Sequence, residues 1–164
     1  MSVRIRPATP DDASALVAVH HEAVEALSGA QYSEEERNAW IRFVTEEAMR
    51  QGVSTAEAIA FVAETDETVV GFSTLHGQEV RAVYVHPAAQ NRGVGTDLLR
   101  AVEAEARARD VQTLTVSASL NAIGFYDAHG YERVGEGTVE LDESHEIRCV
   151  EMEKALSPQS SRSK

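Results

Sequence analysis

The chain has 164 residues, enough for one domain with one sizeable core, and its 43% hydrophobic and 26% charged residues match an ordinary soluble globular protein. Its formal net charge of −12 argues against nucleic acid and anionic membrane as partners, since both would repel it. No apolar run reaches the roughly 18 residues a membrane-spanning helix needs, residues 3–6 alternate like a strand rather than a signal peptide, and the expected location is cytoplasmic. The lone Cys149 cannot form an internal disulfide and reads as a small core residue. Of the 15 Lys and Arg residues only Lys154 and Lys164 are lysines, and an acidic, lysine-poor surface is typical of proteins that work in concentrated salt.

In chain order, residues 3–6 read as a short strand ended by Pro7 and Pro10. Asp11 and Asp12 then precede Leu16, Val19, Ala23, Ala26 and Leu27, whose spacing is helical, with the acids placed to suit the N-terminal dipole. Ser33 followed by Glu36 is a capping box that opens a second predicted helix, running through Trp40, Phe43, Val44 and Ala48 to Gly52. The pattern then turns to strands: 59–64, a turn at Asp66 and Glu67, 68–75 running back, and 78–85 closed by Pro87. A strong helix is predicted over 93–109, a strand over 111–116, a short helix over 122–129, and strands over 131–139 and 146–152. This order gives an α+β, or mixed α/β, single domain over residues 1–156, with a polar tail at 157–164 that is expected to be disordered. The alternating final strand is the expected exposed edge, and a homodimer formed by strand pairing would use it.

Gln90, Asn91, Arg92, Gly93, Val94 and Gly95 follow a strand and open a helix. A helix N-terminus carries free backbone N–H groups and about half a positive charge. Glycines let a ligand's oxygens approach those groups, and Arg92 adds a cation, so the segment suits a pyrophosphate. A dinucleotide-binding fingerprint would need a third glycine, and a P-loop would need Gly-Lys-Ser/Thr; neither is present.

The strand through Val83, Tyr84 and Val85, then His86-Pro87, then Gln90-x-x-Gly93-x-Gly95 and a leucine-rich helix, resembles the acetyl-CoA-binding segment of the GNAT acetyltransferase superfamily. Two further segments resemble it in order and spacing. One is the run from Ala118 through Phe125-Tyr126 to Gly130-Tyr131, and the other is the hairpin holding Phe61-Val62-Ala63-Glu64 and Val69-Val70-Gly71-Phe72. The resemblance implies a central, mostly antiparallel twisted sheet flanked by helices, with acetyl-CoA as cosubstrate and no metal. Val83, Tyr84 and Val85 would offer backbone groups to the pantetheine arm, and Gln90, Asn91, Arg92, Gly93, Val94, Gly95 and Thr96 would wrap the pyrophosphate. Tyr126 would stand near the thioester sulfur. Where many members carry an asparagine that contacts the cofactor, this chain has Ser119, with Asn121 two residues later.

Acetyl transfer requires the amine to lose a proton before attack, because an amine like that of lysine has a pKa of about 10.4. It also requires a donor to the thioester oxygen and a proton for the departing thiolate. Tyr126, a phenol protonated at neutral pH, is the candidate acid; as a plain packing aromatic it would only support Phe125. A backbone N–H of residues 83–85 is the expected oxyanion donor. Glu79 is the candidate base, since strict alternation puts it on one face with Arg81, Val83 and Val85; His76 and water are its rivals. Glu22 and Tyr32 are candidates for the acceptor pocket. The adjacent His20 and His21 point apart on a helix, and the histidines show no metal-ligand spacing. The expected acceptor is a small-molecule amine. A protein N-terminus or lysine is the alternative acceptor, and a catalytically silent CoA-binding module is the alternative of another class.

Overall fold

Alternating apolar residues build a seven-stranded sheet, and the helices cover both of its faces. The computed structural model describes residues 2–53 and 55–156, so the tail expected at 157–164 lies outside the described residues. The strands are β1 (Arg4–Pro7), β2 (Ala58–Thr65), β3 (Thr68–His76), β4 (Glu79–Val85), β5 (Thr113–Ser119), β6 (Glu132–Asp142) and β7 (His145–Ala155). Their order across the sheet is β1-β2-β3-β4-β5-β7-β6, and every neighbouring pair is antiparallel except β4 and β5. The mixed α+β architecture expected from the chain is therefore present, but the expected edge strand is not an edge. β7 lies between β5 and β6, paired on both sides, and the free edges belong to β1 and β6. Alternation shows that a strand has two faces; it does not show which neighbours it pairs with.

One face carries α1 (Ala13–Glu25), α2 (Glu34–Phe43) and α3 (Glu46–Gly52). Leu16 and Val19 of α1 pack with Val53, Ala60, Val62 and Phe72 there, and Trp40 of α2 packs with Val24, Tyr32, Leu141 and Ile147. The other face carries α4 (Val94–Ala108) and α5 (Ile123–Ala128). Leu99, Val102 and Ala106 of α4 meet Leu75, Val80, Val116 and Met152, with Tyr126 of α5 in the same cluster. Among the described residues no helix is long and apolar enough to cross a membrane.

The second predicted helix is two helices. Ser33 and Glu36 form the expected capping box, but at Val44 the backbone becomes extended, with φ −98° and ψ 112°. Thr45 then caps a new helix by accepting from the Ala48 N–H at 3.2 Å. A threonine that can cap offers the backbone an alternative to continuing the helix, and the apolar spacing spans the break without marking it. The turn at Asp66 and Glu67 is a two-residue hairpin with both residues left-handed, at φ 51° and 67°.

The entry to α1 is fixed by charge. Arg6 on β1 donates to both carboxylate oxygens of Asp12 at 3.0 Å and also reaches Glu64 on β2. The Arg6 guanidinium holds the half-buried Asp12 carboxyl below its usual range. Stability from this pair is thus complete above about pH 4 and lost as pH falls through the depressed value. Asp12→Asn is expected to cost about 2 kcal/mol at neutral pH, and the difference from wild type should shrink as pH falls below about 4, as checked by urea unfolding at pH 7 and pH 3.

Candidate active site

Parallel strands β4 and β5 pair at only two positions, Glu79 with Thr115 and Val80 with Val116. Beyond Val80 the two strands part, and two cavities meet in the gap. The smaller, about 390 Å³, opens on the start of α4; the larger, about 720 Å³, runs from the gap beneath α1, α2 and α3. Val83 and Ala122 line both.

The smaller cavity gathers nine of the predicted cofactor-binding residues. They are Val83 and Val85 from β4, Gln90 and Asn91 from the loop, Gly93, Val94, Gly95 and Thr96 from the start of α4, and Asn121. Gly93 is the N-cap residue of α4 and has φ +81°, a left-handed conformation that glycine adopts without strain. Among the described residues no side chain caps this helix start, so its first N–H groups are not taken by a capping side chain there. Arg92 is exposed beside them.

Residues 29–156 match the family model for the acetyltransferase (GNAT) domain. The chain belongs to the GNAT acetyltransferase family. A solved GCN5-related N-acetyltransferase from Rhodopseudomonas palustris is 32% identical, with a TM-score of 0.86 over 95% of this chain and 97% of that one. The uncharacterized N-acetyltransferase YafP of Escherichia coli is 27% identical over 139 residues, covering 85% of this chain and 87% of that protein. The PaiA N-acetyltransferase of Thermoplasma acidophilum, solved in complex with coenzyme A, shares the fold, with 23% identity and a TM-score of 0.78 over 94% of this chain and 99% of that one. The protein is accordingly an acyl-CoA-dependent acetyltransferase.

Within this GNAT fold the remaining predicted residues separate. Tyr84 points its ring to the opposite face, against Phe72 and His20, so only its backbone can serve the gap. Ser119 lines the larger cavity and donates to Asn121 Oδ1 at 2.8 Å, which ties the two candidates together. Tyr126 is buried on the wall of the larger cavity, in edge-to-face contact with Phe125 and Tyr131. Burial pushes its phenol well above the ordinary value, so it keeps its proton at neutral pH.

Glu79 does not share a face with Val83 and Val85. The register with β3 shifts so that Thr74 pairs with Ala82 but Leu75 pairs with Val80, leaving Arg81 as an extra residue. This β-bulge reverses the alternation. Glu79 and its cross-strand partner His76 therefore lie on the face of Ala82 and Tyr84, and both line the larger cavity. Arg81 Nε donates to Glu79 at 2.7 Å. Glu22 is exposed, and neither it nor Tyr32 is among the residues lining the cavity. Tyr32 is instead a tie: its hydroxyl donates to the Arg148 carbonyl at 2.6 Å and accepts from the Leu120 N–H at 2.8 Å. Cys149 is buried on the cavity wall, and burial, with Glu151 beside it, pushes its thiol up to about 11.

Sequence reasoning passed over two histidines. His129 Nδ1 donates to the Phe125 carbonyl at 2.8 Å, and its Nε2 lies 3.0 Å from the Thr96 hydroxyl, which staples α5 to the first turn of α4. His20 is 1% exposed and lines the larger cavity in edge-to-face contact with Tyr84 and Trp40, at ring separations of 4.8 and 6.1 Å. Its position on the apolar stripe of α1, four residues after Leu16, was the available signal.

Burial pushes His20 down to about 4 from an ordinary 6.5. Between those values the unfolded chain binds a proton that the folded chain excludes, so this contribution to stability falls as pH drops from 6.5 toward 4. His20→Phe, which cannot titrate, is expected to remove roughly 3 kcal/mol of the stability change across that interval. Unfolding free energies measured at pH 7, 5.5 and 4 for both proteins check this.

Proposed function

We propose that the chain transfers the acetyl group of acetyl-CoA to the primary amine of a small molecule, by direct attack within a ternary complex. The observation that carries this reading is the meeting of the two cavities where β4 and β5 part. The smaller one, at an uncapped helix start, suits the pyrophosphate of the donor. The larger one, roofed by α1, α2 and α3, suits a small acceptor better than an extended peptide. The coenzyme A bound by the Thermoplasma relative is in keeping with this donor.

Each wall then has a task. β4 beyond Val80 has no partner on the β5 side, which leaves backbone groups of Val83, Tyr84 and Val85 for the pantetheine arm and the thioester oxygen. Glu79 is the sole carboxylate among the described residues on the larger cavity's wall, and it takes the proton from the amine directly or through water. His76, paired with it across β3 and β4, is the neighbouring base. The amine nitrogen bonds to the carbonyl carbon as the carbon–sulfur bond breaks, and Tyr126 supplies the proton to the departing thiolate. The products are the N-acetylated amine and the free thiol of CoA.

The direct test is thiol release from acetyl-CoA against amino acids, polyamines, aminoglycosides, arylalkylamines and basic peptides. Release that depends on a small amine is expected. Release only with peptides would give the acceptor to proteins, and no release together with no binding of acetyl-CoA would overturn the reading. Tyr126→Phe is expected to lower kcat by about 100-fold with acetyl-CoA affinity little changed; full activity would remove Tyr126 from the reaction.

A further inference from the structure

Three features of the larger cavity lie outside the chemistry above. Its end beneath α1 and α2 is aromatic: His20, Trp40 and Tyr84 meet edge to face, with Phe72 against Tyr84. Phe43, on the same helix as Trp40, is 50% exposed, a large apolar side chain on the cavity wall. His20 Nε2 is buried and has no hydrogen-bond partner among the described residues.

The charges on the wall are as informative. Among the described lining residues Glu79 is the sole carboxylate, and Arg81 already pairs with it at 2.7 Å. The net charge of −12 draws cations toward the protein, yet this cavity holds no second carboxylate for a second ammonium group. A polyamine or aminoglycoside would bring further charges for which the described lining residues offer no second carboxylate, Glu151 behind Ser117 and Cys149 being already bonded to both. A monoamine on an apolar ring would meet Glu79 with its nitrogen and the aromatic wall with its body. An unpartnered buried ring nitrogen is satisfied by a ligand that brings one neutral polar group.

Resting on the acetyltransferase reading above, we propose that the aromatic end of the cavity, walled by His20, Trp40 and Tyr84, is the subsite for the acceptor's body. The acceptor is a monoamine on an aryl framework with a hydroxyl group distal to the amine, and His20 hydrogen-bonds that hydroxyl. His20 is thus a specificity-determining residue, and Trp40 packs beside the ligand.

Trp40 is the single tryptophan of the chain, so its fluorescence reports occupancy of this subsite without any turnover. The experiment titrates the full chain, saturated with CoA, with tyramine, phenethylamine and spermidine, and measures thiol release from acetyl-CoA with the same three amines. Expected are saturable fluorescence changes with tyramine, about tenfold weaker binding of phenethylamine, and no saturable change with spermidine. The preference should appear in KM more than in kcat, because His20 touches the acceptor away from the reacting atoms. His20→Phe should abolish the tenfold preference while leaving acetyl-CoA affinity unchanged, and His20→Gln, which keeps a hydrogen-bonding group, should retain part of it. Equal binding of tyramine and phenethylamine by the wild type overturns the proposal whether or not the variants fold. So does thiol release driven by spermidine with Trp40 silent to the aryl amines, an outcome that leaves acetyl transfer standing. Saturable, hydroxyl-dependent fluorescence without thiol release keeps the subsite and overturns acetyl transfer instead.

Discussion

The parting of β4 and β5 is the constraint from which the site follows. Two parallel strands that stay paired would seal the middle of the sheet, and here pairing ends after Val80 and Val116. Below that point Leu75, Val80, Val116 and Met152 close the core against α4. Above it the backbone of β4 faces a gap, and buried backbone groups need partners. The two cavities meet there because α4 begins on one side and the α1–α3 layer roofs the other. An opening through a sheet reaches both faces, so one ligand can lie along the helix start while a second approaches from behind.

The bulge at Arg81 completes this arrangement. Were the pairing regular through Arg81, Glu79 would face α4, on the side of Val83 and Val85. With the bulge, Glu79 joins His76 in facing the larger cavity, and Val80 joins Val83 on the α4 side. One inserted residue therefore separates the side chains that pack the core from those that line the cavity.

Charge is divided in a similar way. On a strongly acidic chain the start of α4, with the exposed Arg92 beside it, presents the positive end of a helix dipole. The cavity behind it is kept close to neutral: Glu79 pairs with Arg81, His20 stays uncharged, and the rest of the wall is largely apolar. The two cavities thus differ in polarity on the two sides of one strand.

How much of this could be read from the residues depended on range. The capping box at Ser33 and Glu36, the turn at Asp66 and Glu67, and the glycine-bearing loop that opens α4 act within a few residues, and the chain declared each of them. The break at Val44 and Thr45 was equally local, but apolar periodicity ran straight across it. Register was beyond reach: alternation places a residue on a face only while pairing stays regular, and the shift at Arg81 is set jointly by β3 and β4. His20 looked like one of two adjacent histidines on a helix; burial between Trp40 and Tyr84, far away in sequence, gave it its unpartnered nitrogen and its neutral ring. By itself the sequence determined the family, the element types and the glycine-bearing start of α4, because these rest on local backbone chemistry. The tertiary structure alone decided the strand order that puts β7 inside the sheet, the face of Glu79 and the walls of the larger cavity, because each depends on which distant segments pack together.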